Sequence, residues 1–437
     1  MKSERVDHIV SWRLCLGCGA CAVACPQDAI SLADIEGQGI RPFIDNTKCK
    51  RCAECVKACP GIGISQPEFT GETIPELRKS WGPVLEVWEG HASDPEIRFK
   101  GSSGGAATAL ALYCLEKEDM GGVLHIGASA DEPLRNVAFL SENREDLVKR
   151  TGSRYSPAAP CEKLDLIMKA ESPCVFIGKP CDVAALRKLQ GLSIKLRDKA
   201  GLAISIFCAG TPSTNGTLAL VGALRAEPGE VGAVRYRGCG WPGTAMIELG
   251  TPCREVREMS YEQSWGDILS RHTQFRCRLC PDGTGELADI SCGDPWYRKA
   301  DPGEAGSSLV LVRTEAGRTI LHRALDDSYV LLRKISPTLL PKAQTSLLKK
   351  RQSLYGRLLA LRMLAVPAPK FEGFQLAGNW MALRASVRFR SFFGTVRRAI
   401  TRGWLRKQQV CSTPEEAISG HGRGKGRKGE GVSSCKA

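Results

Sequence analysis

The sequence that decides the first part of the fold is CLGCGACAVACP at residues 15–26, which is repeated in pattern by CKRCAECVKACP at residues 49–60. Both copies follow the spacing C-x2-C-x2-C-x3-C-P. In this pattern three thiolates of one loop bind one four-iron cluster, and the fourth thiolate binds the neighbouring cluster. The doubled run therefore predicts two 4Fe-4S clusters near the start of the chain.

The crossed pattern divides these cysteines into two ligand sets. One set is Cys15, Cys18, Cys21 and Cys59, and the other set is Cys25, Cys49, Cys52 and Cys55. Zinc sites usually pair two C-x2-C units without the x3-C-P extension, and disulfides need an oxidising compartment that nothing in the sequence indicates. We therefore predict an α+β, bacterial-type, two-cluster ferredoxin domain over residues 1–65.

The chain has 437 residues, 20 of them cysteines, and a formal net charge of +14. It is too long for a ferredoxin alone, so the clusters are predicted to serve one or two larger domains. The charged start and the lack of a long apolar stretch predict a reduced, cytoplasmic protein. Basic residues gather in a terminal extension rather than in a groove lined with aromatic residues, so the charge does not favour nucleic-acid binding.

Strands and helices alternate along residues 91–340, after a predicted linker at residues 66–90. This alternation is typical of an α/β domain with a largely parallel or mixed sheet. The predicted strands are 122–127, 174–178 and 203–207, and the predicted helices are 106–116, 163–169 and 183–189.

Residues 341–412 predict a C-terminal extension of amphipathic helices with cationic faces. Such helices can pack as a cap on the larger domain, which we favour, or lie on a membrane surface or against a partner. In the membrane case the protein would be peripheral on the inner face. Residues 413–437 are rich in Gly, Lys, Arg and Ser, and they predict a disordered basic tail from which no function follows.

Two loops containing glycine and serine are candidates for binding phosphate or a flavin. Ser102-Ser103-Gly104-Gly105 comes directly before a helix, where exposed backbone amides suit an anion. The loop 150–157 joins hydroxyl groups to Arg154, which suits anionic oxygens, and to Tyr155, which suits a stacked ring. Taken alone, an ordinary helix cap and an ordinary surface turn explain the two loops at least as well.

Four more cysteines are candidate ligands of a third cluster. Cys181 and Cys208 each follow a predicted strand, which is where α/β proteins place their sites. Cys277 and Cys280 have the C-x2-C spacing of metal ligands. A buried cysteine at a strand end is more often a small hydrophobic residue, but the C-x2-C pair favours the ligand interpretation. Cys292 follows that pair closely and competes for the fourth place, and the residues alone leave both sets open.

Six segments, in this order, resemble the coenzyme F420 hydrogenase/dehydrogenase beta-subunit family over about residues 90–365. The segments are SSGG (102–105), GSRY (152–155), GKPC (178–181), FCAG (207–210), CRLC (277–280) and ADISCGDPW (288–296). The resemblance implies a domain that contains FAD and passes electrons between iron-sulfur clusters and a hydride-carrying partner, in several members the deazaflavin coenzyme F420. It also favours Cys181, Cys208, Cys277 and Cys280 over Cys292 as cluster ligands.

The resemblance implies that residues of the two glycine- and serine-containing loops contact the flavin. They are Ser102, Ser103, Gly104, Gly105, Ser153, Arg154 and Tyr155. Lys179 and Arg154 would stabilise an anionic reduced flavin or a substrate phosphate. Asp289 and Asp294 are candidates to orient the flavin or the cluster loop, with helix capping as the alternative. No residue is predicted as a nucleophile or a dedicated proton donor.

Clusters carry one electron at a time and hydride donors deliver two, so a flavin is the natural converter between them. We therefore predict an iron-sulfur flavoprotein oxidoreductase that exchanges electrons between 4Fe-4S clusters or ferredoxin and a hydride carrier such as coenzyme F420. One alternative is a ferredoxin-dependent reductase of a specific organic substrate, of pigment or polysaccharide type. Another is a non-catalytic electron-transfer subunit of a larger complex. The sequence leaves the substrate and the direction of electron flow open.

Overall fold

The computed structural model describes residues 5–69, 71–250, 255–301, 303–410 and 413. The described residues form a small cysteine-rich part, a larger α/β part and a C-terminal group of helices. The predicted tail at residues 413–437 lies outside the described residues, apart from Thr413. None of the described helices is long and apolar enough to span a membrane.

The cysteine-rich part consists of a two-stranded antiparallel hairpin and short helices. Each cysteine run contains a short helix, α2 (Ala20–Val23) in the first run and α3 (Glu54–Lys57) in the second. The elements are α1 (Val6–Ser11), α2 (Ala20–Val23), β1 (Ile30–Ile35), β2 (Gly39–Ile44), α3 (Glu54–Lys57) and β3 (Gly63–Ser65). This arrangement agrees with the predicted ferredoxin-type domain.

The α/β part is built on an eight-stranded mixed sheet. Its strands are β4 (Glu86–Ala92), β5 (Val123–Ala128), β6 (Asn136–Ser141), β7 (Cys174–Gly178), β8 (Ala200–Ile206), β12 (Ile290–Gly293), β13 (Ser308–Val312) and β14 (Val330–Lys334). Their order in the sheet is β14-β4-β13-β12-β8-β7-β5-β6. Neighbouring strands β12, β8, β7 and β5 pair in parallel, and the remaining pairs are antiparallel. The predicted mixed sheet is confirmed.

Helices cover this sheet and bury its apolar strands. They are α4 (Pro75–Trp81), α5 (Pro95–Lys100), α6 (Ala106–Lys117), α7 (Arg144–Lys149), α8 (Leu164–Lys169), α9 (Pro180–Gln190), α10 (Ile194–Lys199) and α12 (Glu315–Asp326). Helix α11 (Thr214–Ala223) packs instead on a separate antiparallel sheet of β9 (Val231–Arg235), β10 (Thr244–Leu249) and β11 (Val256–Ser260). A π-helical turn over Glu262–Ile268 follows this sheet.

The C-terminal group is helical, as predicted. It contains α13 (Leu339–Ala343), α14 (Thr345–Met363), β15 (Lys370–Glu372), α15 (Leu376–Met381) and α16 (Ala385–Thr401). Strand β15 pairs in parallel with β3 of the cysteine-rich part. Leu354 and Leu358 of α14 share one hydrophobic core with Ile9 of α1. The cysteine-rich part and the C-terminal group of helices therefore pack together.

The predicted linker at residues 66–90 differs from the structure. Residues 75–81 form α4, and residues 86–92 form β4, which pairs with both β13 and β14. Sequence pattern missed this strand because Glu86 and Glu89 interrupt its apolar residues. Their carboxylates lie near basic side chains of the neighbouring elements, such as Lys334 of β14.

The cysteine-rich part packs directly on the α/β part. The Cys161 amide donates a hydrogen bond to the Cys18 carbonyl at 3.0 Å. Gly19 lies beside it with a φ of +88°, and a Cβ there would lie 2.7 Å from the backbone nitrogen of Glu162. Glycine therefore allows the first cysteine loop to approach the α/β part closely.

Candidate functional site

The first group of thiols is the inner ferredoxin set, defined here as Cys15, Cys18, Cys21 and Cys59. All four line one small cavity of about 20 Å³. Burial raises the pKa of the Cys21 thiol well above its usual value, and the nearby thiols of Cys15, Cys18 and Cys59 raise it further. The structure thus brings together the four cysteines that the crossed pattern assigns to one cluster.

The second group is the outer ferredoxin set, defined here as Cys25, Cys49, Cys52 and Cys55. Burial raises the pKa of Cys55, and the nearby thiols of Cys25, Cys52 and Cys49 add to the rise. Cys52 is exposed, whereas the members of the inner ferredoxin set are partly or fully buried. The outer ferredoxin set therefore lies nearer the protein surface.

The third set consists of Cys181, Cys208, Cys277 and Cys280. Cys181 lies in the first turn of α9, and Cys208 follows β8. Cys277 lies within the 3-10 turn Phe275–Leu279, and Cys280 directly follows that turn. Burial raises the pKa of Cys208 to about 12, and the thiols of Cys277 and Cys280 contribute to the rise. The pKa of Cys181 is also raised, first by burial and then by Asp182, Cys208 and Cys280. These four thiols lie together.

Cys292, the competitor for the third set, lies elsewhere. It belongs to β12, and burial raises the pKa of its thiol to about 12 without a contribution from another thiol of the described residues. Cys292 lines the cavity at the start of α6, whereas Cys208 lines an adjoining second cavity. The geometry favours the set without Cys292.

The donor sets fit four-iron clusters. Backbone N–H groups donate to sulfur in each set, a contact that stabilises thiolate and tunes a cluster. The pairs are Gly17 to Cys15 (3.4 Å), Gly61 to Cys59 (3.3 Å), Ala29 to Cys25 (3.3 Å) and Thr211 to Cys277 (3.4 Å). In the described residues, no three His, Cys, Asp or Glu side chains converge as ligands of one metal ion do. Cubane thiolates each bind a different iron, so they surround the cluster instead.

Two adjoining cavities lie at the carboxyl ends of β7 and β8. The first has a volume of about 190 Å³ and reaches the start of α6, and the second has a volume of about 420 Å³ and reaches the start of α14. Lys179, Phe207 and Asp294 line both. Carboxyl ends of parallel strands are the usual site position in α/β proteins.

The two predicted loops meet at the first cavity. Ser102, Ser103 and Gly105 line it together with Ser153, whose backbone amide donates to the Ser102 hydroxyl at 2.6 Å. Gly105 begins α6 with a φ of +73°, which glycine adopts without strain. Gly104 is not among the lining residues. Its amide donates to the Ser308 hydroxyl at 2.9 Å instead.

Arg154 lines both cavities but uses much of its guanidinium within the protein. Its Nε donates to Asn136 at 2.6 Å, Nη1 donates to the Val234 carbonyl at 2.7 Å and Nη2 donates to the Pro133 carbonyl at 2.8 Å. Three of its five N–H donors are therefore occupied. A contact with a flavin would have to use the other two.

Lys179 stands between the two cavities as a buried cation. Its Nζ lies 2.6 Å from the Asp182 carboxylate, and that carboxylate also accepts from the Lys179 amide at 3.0 Å. Burial alone would lower the pKa of the ammonium group, but the charges of Asp182 and Cys181 outweigh it and raise the pKa. Lys179 therefore carries a positive charge at the junction of the cavities.

Asp294 holds the aromatic wall of the second cavity. Arg237 donates to its two oxygens at 2.9 and 2.6 Å, and the Trp241 indole donates at 2.8 Å. Trp296 stacks between Trp241 and Tyr261, with ring centroids 5.1 and 5.4 Å apart. Sequence reasoning missed Arg237, Trp241 and Tyr261, because they are far apart in the chain and share no motif.

Tyr155 and Asp289 have different positions relative to the cavities. Tyr155 lines both, and its ring lies against Trp265 with centroids 4.9 Å apart. Asp289 lines neither. It accepts hydrogen bonds from Arg187 at 2.9 Å, from the Ala203 amide at 2.8 Å and from Thr314 at 2.9 Å. Asp289 thus ties β8 to neighbouring side chains, and none of these bonds goes to a helix N-terminal amide, so it does not act as the predicted helix cap either.

Comparison with known proteins agrees with this architecture. Residues 87–164 match the family model described as coenzyme F420 hydrogenase/dehydrogenase, beta subunit N-term, and residues 173–338 match its C terminus. Residues 14–61 match a 4Fe-4S dicluster domain. The fold and the thiol groups define an iron-sulfur protein of an oxidoreductase class. The chain belongs to the coenzyme F420 hydrogenase/dehydrogenase beta-subunit family.

Individual relatives carry names from several redox systems. The chain is 25% identical over 290 residues to the coenzyme F420 hydrogenase subunit beta of Methanococcus voltae, covering 64% of this chain and 95% of that protein. It is 27% identical over 245 residues to the F420-dependent formate dehydrogenase subunit beta of Methanocaldococcus jannaschii, covering 56% and 61%. It is 24% identical over 339 residues to the coenzyme F420-dependent sulfite reductase of the same organism, covering 73% and 47%.

A solved structure shares the fold. A chain of the F420-reducing [NiFe] hydrogenase complex from Methanosarcina barkeri superposes with a TM-score of 0.51 at 22% sequence identity. The likeness covers 66% of this chain and 96% of that chain. It supports the architecture of the α/β part.

Proposed function

We propose that this protein passes electrons between its 4Fe-4S clusters and a hydride carrier such as coenzyme F420, through FAD. One observation carries the proposal. Cys208 belongs to the third set and also lines the second cavity, which shares Lys179, Phe207 and Asp294 with the first. A cluster, a flavin and a second ligand would therefore adjoin one another. The relatives named for coenzyme F420 support this choice of carrier.

The three sets of thiols are proposed as ligands of three clusters. The inner ferredoxin set lies near the α/β part. Burial and the Cys15 thiol raise the pKa of Cys59, whereas the nearby ammonium group of Lys188 in α9 lowers it. The outer ferredoxin set is nearer solvent. Electrons would thus pass between the surface and the third set by way of the inner ferredoxin set. The direction of electron flow follows from the redox partners.

FAD is proposed to occupy the first cavity and part of the second. Its chemistry, when bound, is to exchange a hydride with one partner and single electrons with the clusters. The backbone amides of Ser102, Ser103 and Gly105, which line the first cavity, would hold phosphate at the start of α6. Lys179 would stabilise negative charge on the ring system, and its ion pair with Asp182 fixes its position. Tyr155 would give the ring an apolar wall.

The second cavity is proposed to take the hydride carrier. Its wall includes the rings of Tyr261, Trp265 and Trp296, beside Lys179 and Lys342. Flat aromatic side chains favour a flat conjugated ligand, and the two lysines favour an acidic one. A ferredoxin-dependent reductase of another conjugated substrate would use the same surface, so activity assays must decide between them.

The test begins with anaerobically purified protein. We expect about twelve iron atoms per chain for three cubanes, one FAD released by denaturation, and oxidation of reduced F420 when a viologen acceptor is present. Protein that retains three clusters but binds no FAD would contradict the proposed flavin site and favour a non-catalytic electron-transfer subunit. Bound FAD without F420 oxidation would favour the reductase of another substrate.

Lys179 gives a sharper test of the flavin site. In the double variant Lys179→Met/Asp182→Asn neither buried charge is left without its partner. We expect FAD affinity to fall on the order of tenfold to a hundredfold, because the cation at the junction is lost. Equilibrium dialysis measures the affinity. Lys163→Met, at the start of α8, is the matched control and should bind FAD as the unchanged protein does.

We also propose that α16 makes a peripheral contact with an anionic membrane surface. Phe389, Phe393 and Ile400 are 62, 59 and 58% exposed, and they form an apolar stripe along one side of the helix. Arg390 and Arg397 flank this stripe, and residues 373–414 contain no Asp or Glu. Exposed apolar side chains flanked by cations suit the headgroup region of anionic lipid.

Vesicle sedimentation tests this contact. The protein should sediment with phosphatidylglycerol vesicles more than with phosphatidylcholine vesicles, and Phe389→Ser/Phe393→Ser should abolish the difference. Leu331→Ser, at another exposed apolar residue, is the control. A double variant that sediments with phosphatidylglycerol vesicles as much as the unchanged protein does would contradict membrane contact through this stripe. Binding to a purified oxidoreductase subunit, without binding to vesicles, would assign the stripe to a protein interface.

A further inference from the structure

Arg276 is buried between two of the thiol groups. It lies in the 3-10 turn Phe275–Leu279, next to Cys277, and its relative exposure is 1%. Its Nε donates to the Gly61 carbonyl at 3.0 Å, and Nη2 donates to the Pro60 carbonyl at 3.2 Å. Both carbonyls directly follow Cys59. One guanidinium therefore joins the loop of the inner ferredoxin set to the loop of the third set.

The surroundings of Arg276 contain no carboxylate partner among the described residues. Its remaining hydrogen bond, from Nη1, goes to the Leu279 carbonyl at 3.0 Å, immediately before Cys280. Two other buried arginines are paired differently, because Arg237 contacts Asp294 and Arg351 contacts Glu286. A buried cation without an anionic partner is costly. The anionic groups near Arg276 are cysteine sulfurs of both sets, namely Cys280, Cys277, Cys181 and Cys59.

We propose that Arg276 is a positioning residue whose charge is balanced by two clusters at once, so that it raises the reduction potentials of both. The inference rests on the proposed ligand sets. A cluster bound by four thiolates becomes more negative on reduction, and a buried cation beside it stabilises that state more than the oxidised state. In the second cysteine run Arg276 bonds only to the carbonyls that follow Cys59, and no thiol of the outer ferredoxin set is among the described sulfurs that act on it. Electrons are therefore held preferentially on the clusters of the inner ferredoxin set and of the third set.

The test is a redox titration followed by electron paramagnetic resonance, with the three cluster signals read separately. In Arg276→Gln the ratio of reduced to oxidised cluster at a fixed potential should fall at least tenfold for the inner ferredoxin set and the third set. That change corresponds to a shift of about 59 mV to more negative potential for a one-electron couple. The outer ferredoxin set should keep its potential, which makes it an internal reference.

Two further variants separate charge from packing. Arg276→Lys keeps a cation and should shift both potentials less than Arg276→Gln does. Should the Gln variant fail to fold, the Lys variant still reports, because displacement of its charge must move these two potentials and not the third. Arg313→Gln is the matched control, since Arg313 is equally buried but bonds to Trp81, Pro83, Thr284 and Ser291 rather than to a cysteine loop.

Unchanged potentials in an Arg276→Gln protein with all three clusters would overturn the proposal, as would equal shifts of all three clusters. A shift of the same size in Arg313→Gln would also overturn it. Failure of the proposed function itself looks different. In that case the unchanged protein would lack the third cluster or one of the ferredoxin clusters before any variant is made.

Discussion

Cys277 and Cys292 are close in sequence, but they line different parts of the molecule. Cys277 lies with Cys208 and Cys280, whereas Cys292 is on β12 beside the first cavity. Cys277→Ser should therefore lower the iron content from about twelve to about eight atoms per chain. Cys292→Ser should leave it unchanged. Iron analysis and the electron paramagnetic resonance spectrum check both variants, and the opposite result would place Cys292 in the cluster.

His125 makes stability depend on pH. It is buried on β5, and burial, followed by the charge of Arg150, lowers the pKa of its imidazole to about 4. The unfolded chain, with a histidine pKa of about 6.5, binds more protons below that pH than the folded chain does. This histidine should therefore cost up to about 3 kcal/mol of stability as the pH falls from about 6.5 to about 4.

The matched variant for this effect is His125→Gln, which keeps a polar group near the Ser141 hydroxyl that lies 2.8 Å from Nε2 of His125. Urea unfolding at several pH values measures the free energy of unfolding. Below a pH of about 6.5 this free energy should fall less steeply for the variant than for the unchanged protein. The same fall in both proteins would mean that other groups cause the loss of stability in acid.

Site residues differ in how far the sequence could reveal them. The ferredoxin cysteines follow from spacing, because neighbouring residues of one loop bind one cluster. Arg276 and Arg237 carry no comparable pattern, since their roles depend on backbone carbonyls and carboxylates that are distant in the chain. The residue type of Arg154 predicts a flavin contact. The sequence does not predict its hydrogen bonds to Asn136, Val234 and Pro133, because only the fold brings these residues around the guanidinium.

Helix α14 packs against the cysteine-rich part and so joins it to the C-terminal group of helices. Leu358 is 2% exposed and packs in the core that also contains Ile9 of the cysteine-rich part. Leu358→Ala should lower the free energy of unfolding by about 2–5 kcal/mol, because it leaves a cavity in this core. Urea denaturation measures the change. Met363→Ala, in the last turn of the same helix and 70% exposed, should change stability little.

Elements with clear periodicity could be predicted closely. The strand predicted at 174–178 is β7 at Cys174–Gly178, and the helix predicted at 106–116 is α6 at Ala106–Lys117. Strand β4 could not be predicted in the same way. Its glutamates are compensated by basic side chains from distant elements, and this compensation is a property of the assembled sheet. The pairing of β15 with β3 likewise joins residues about three hundred positions apart.

At the scale of the whole molecule, the C-terminal helices are part of the core. Phe374, Ala399 and Trp404 pack in the same core as Val6 and Ile9. Removing all residues after Pro367 should therefore destabilise the cysteine-rich part and lower its iron content, as measured by iron analysis and thermal unfolding. A truncated protein with full iron and unchanged stability would show that these helices are dispensable. Membrane binding is better tested with point variants than with this truncation.

The hydrogen bond between the Gln408 amide and the Ser11 carbonyl, at 2.8 Å, has a consequence for biosynthesis. During translation the first cysteine run leaves the ribosome long before the residues that complete its hydrophobic surroundings. Contacts between such distant residues slow folding, because a very long loop must close first. The nascent ferredoxin segment therefore stays incompletely packed until residue 408 has been synthesised. Stable iron delivery to this segment should consequently follow the synthesis of residue 408.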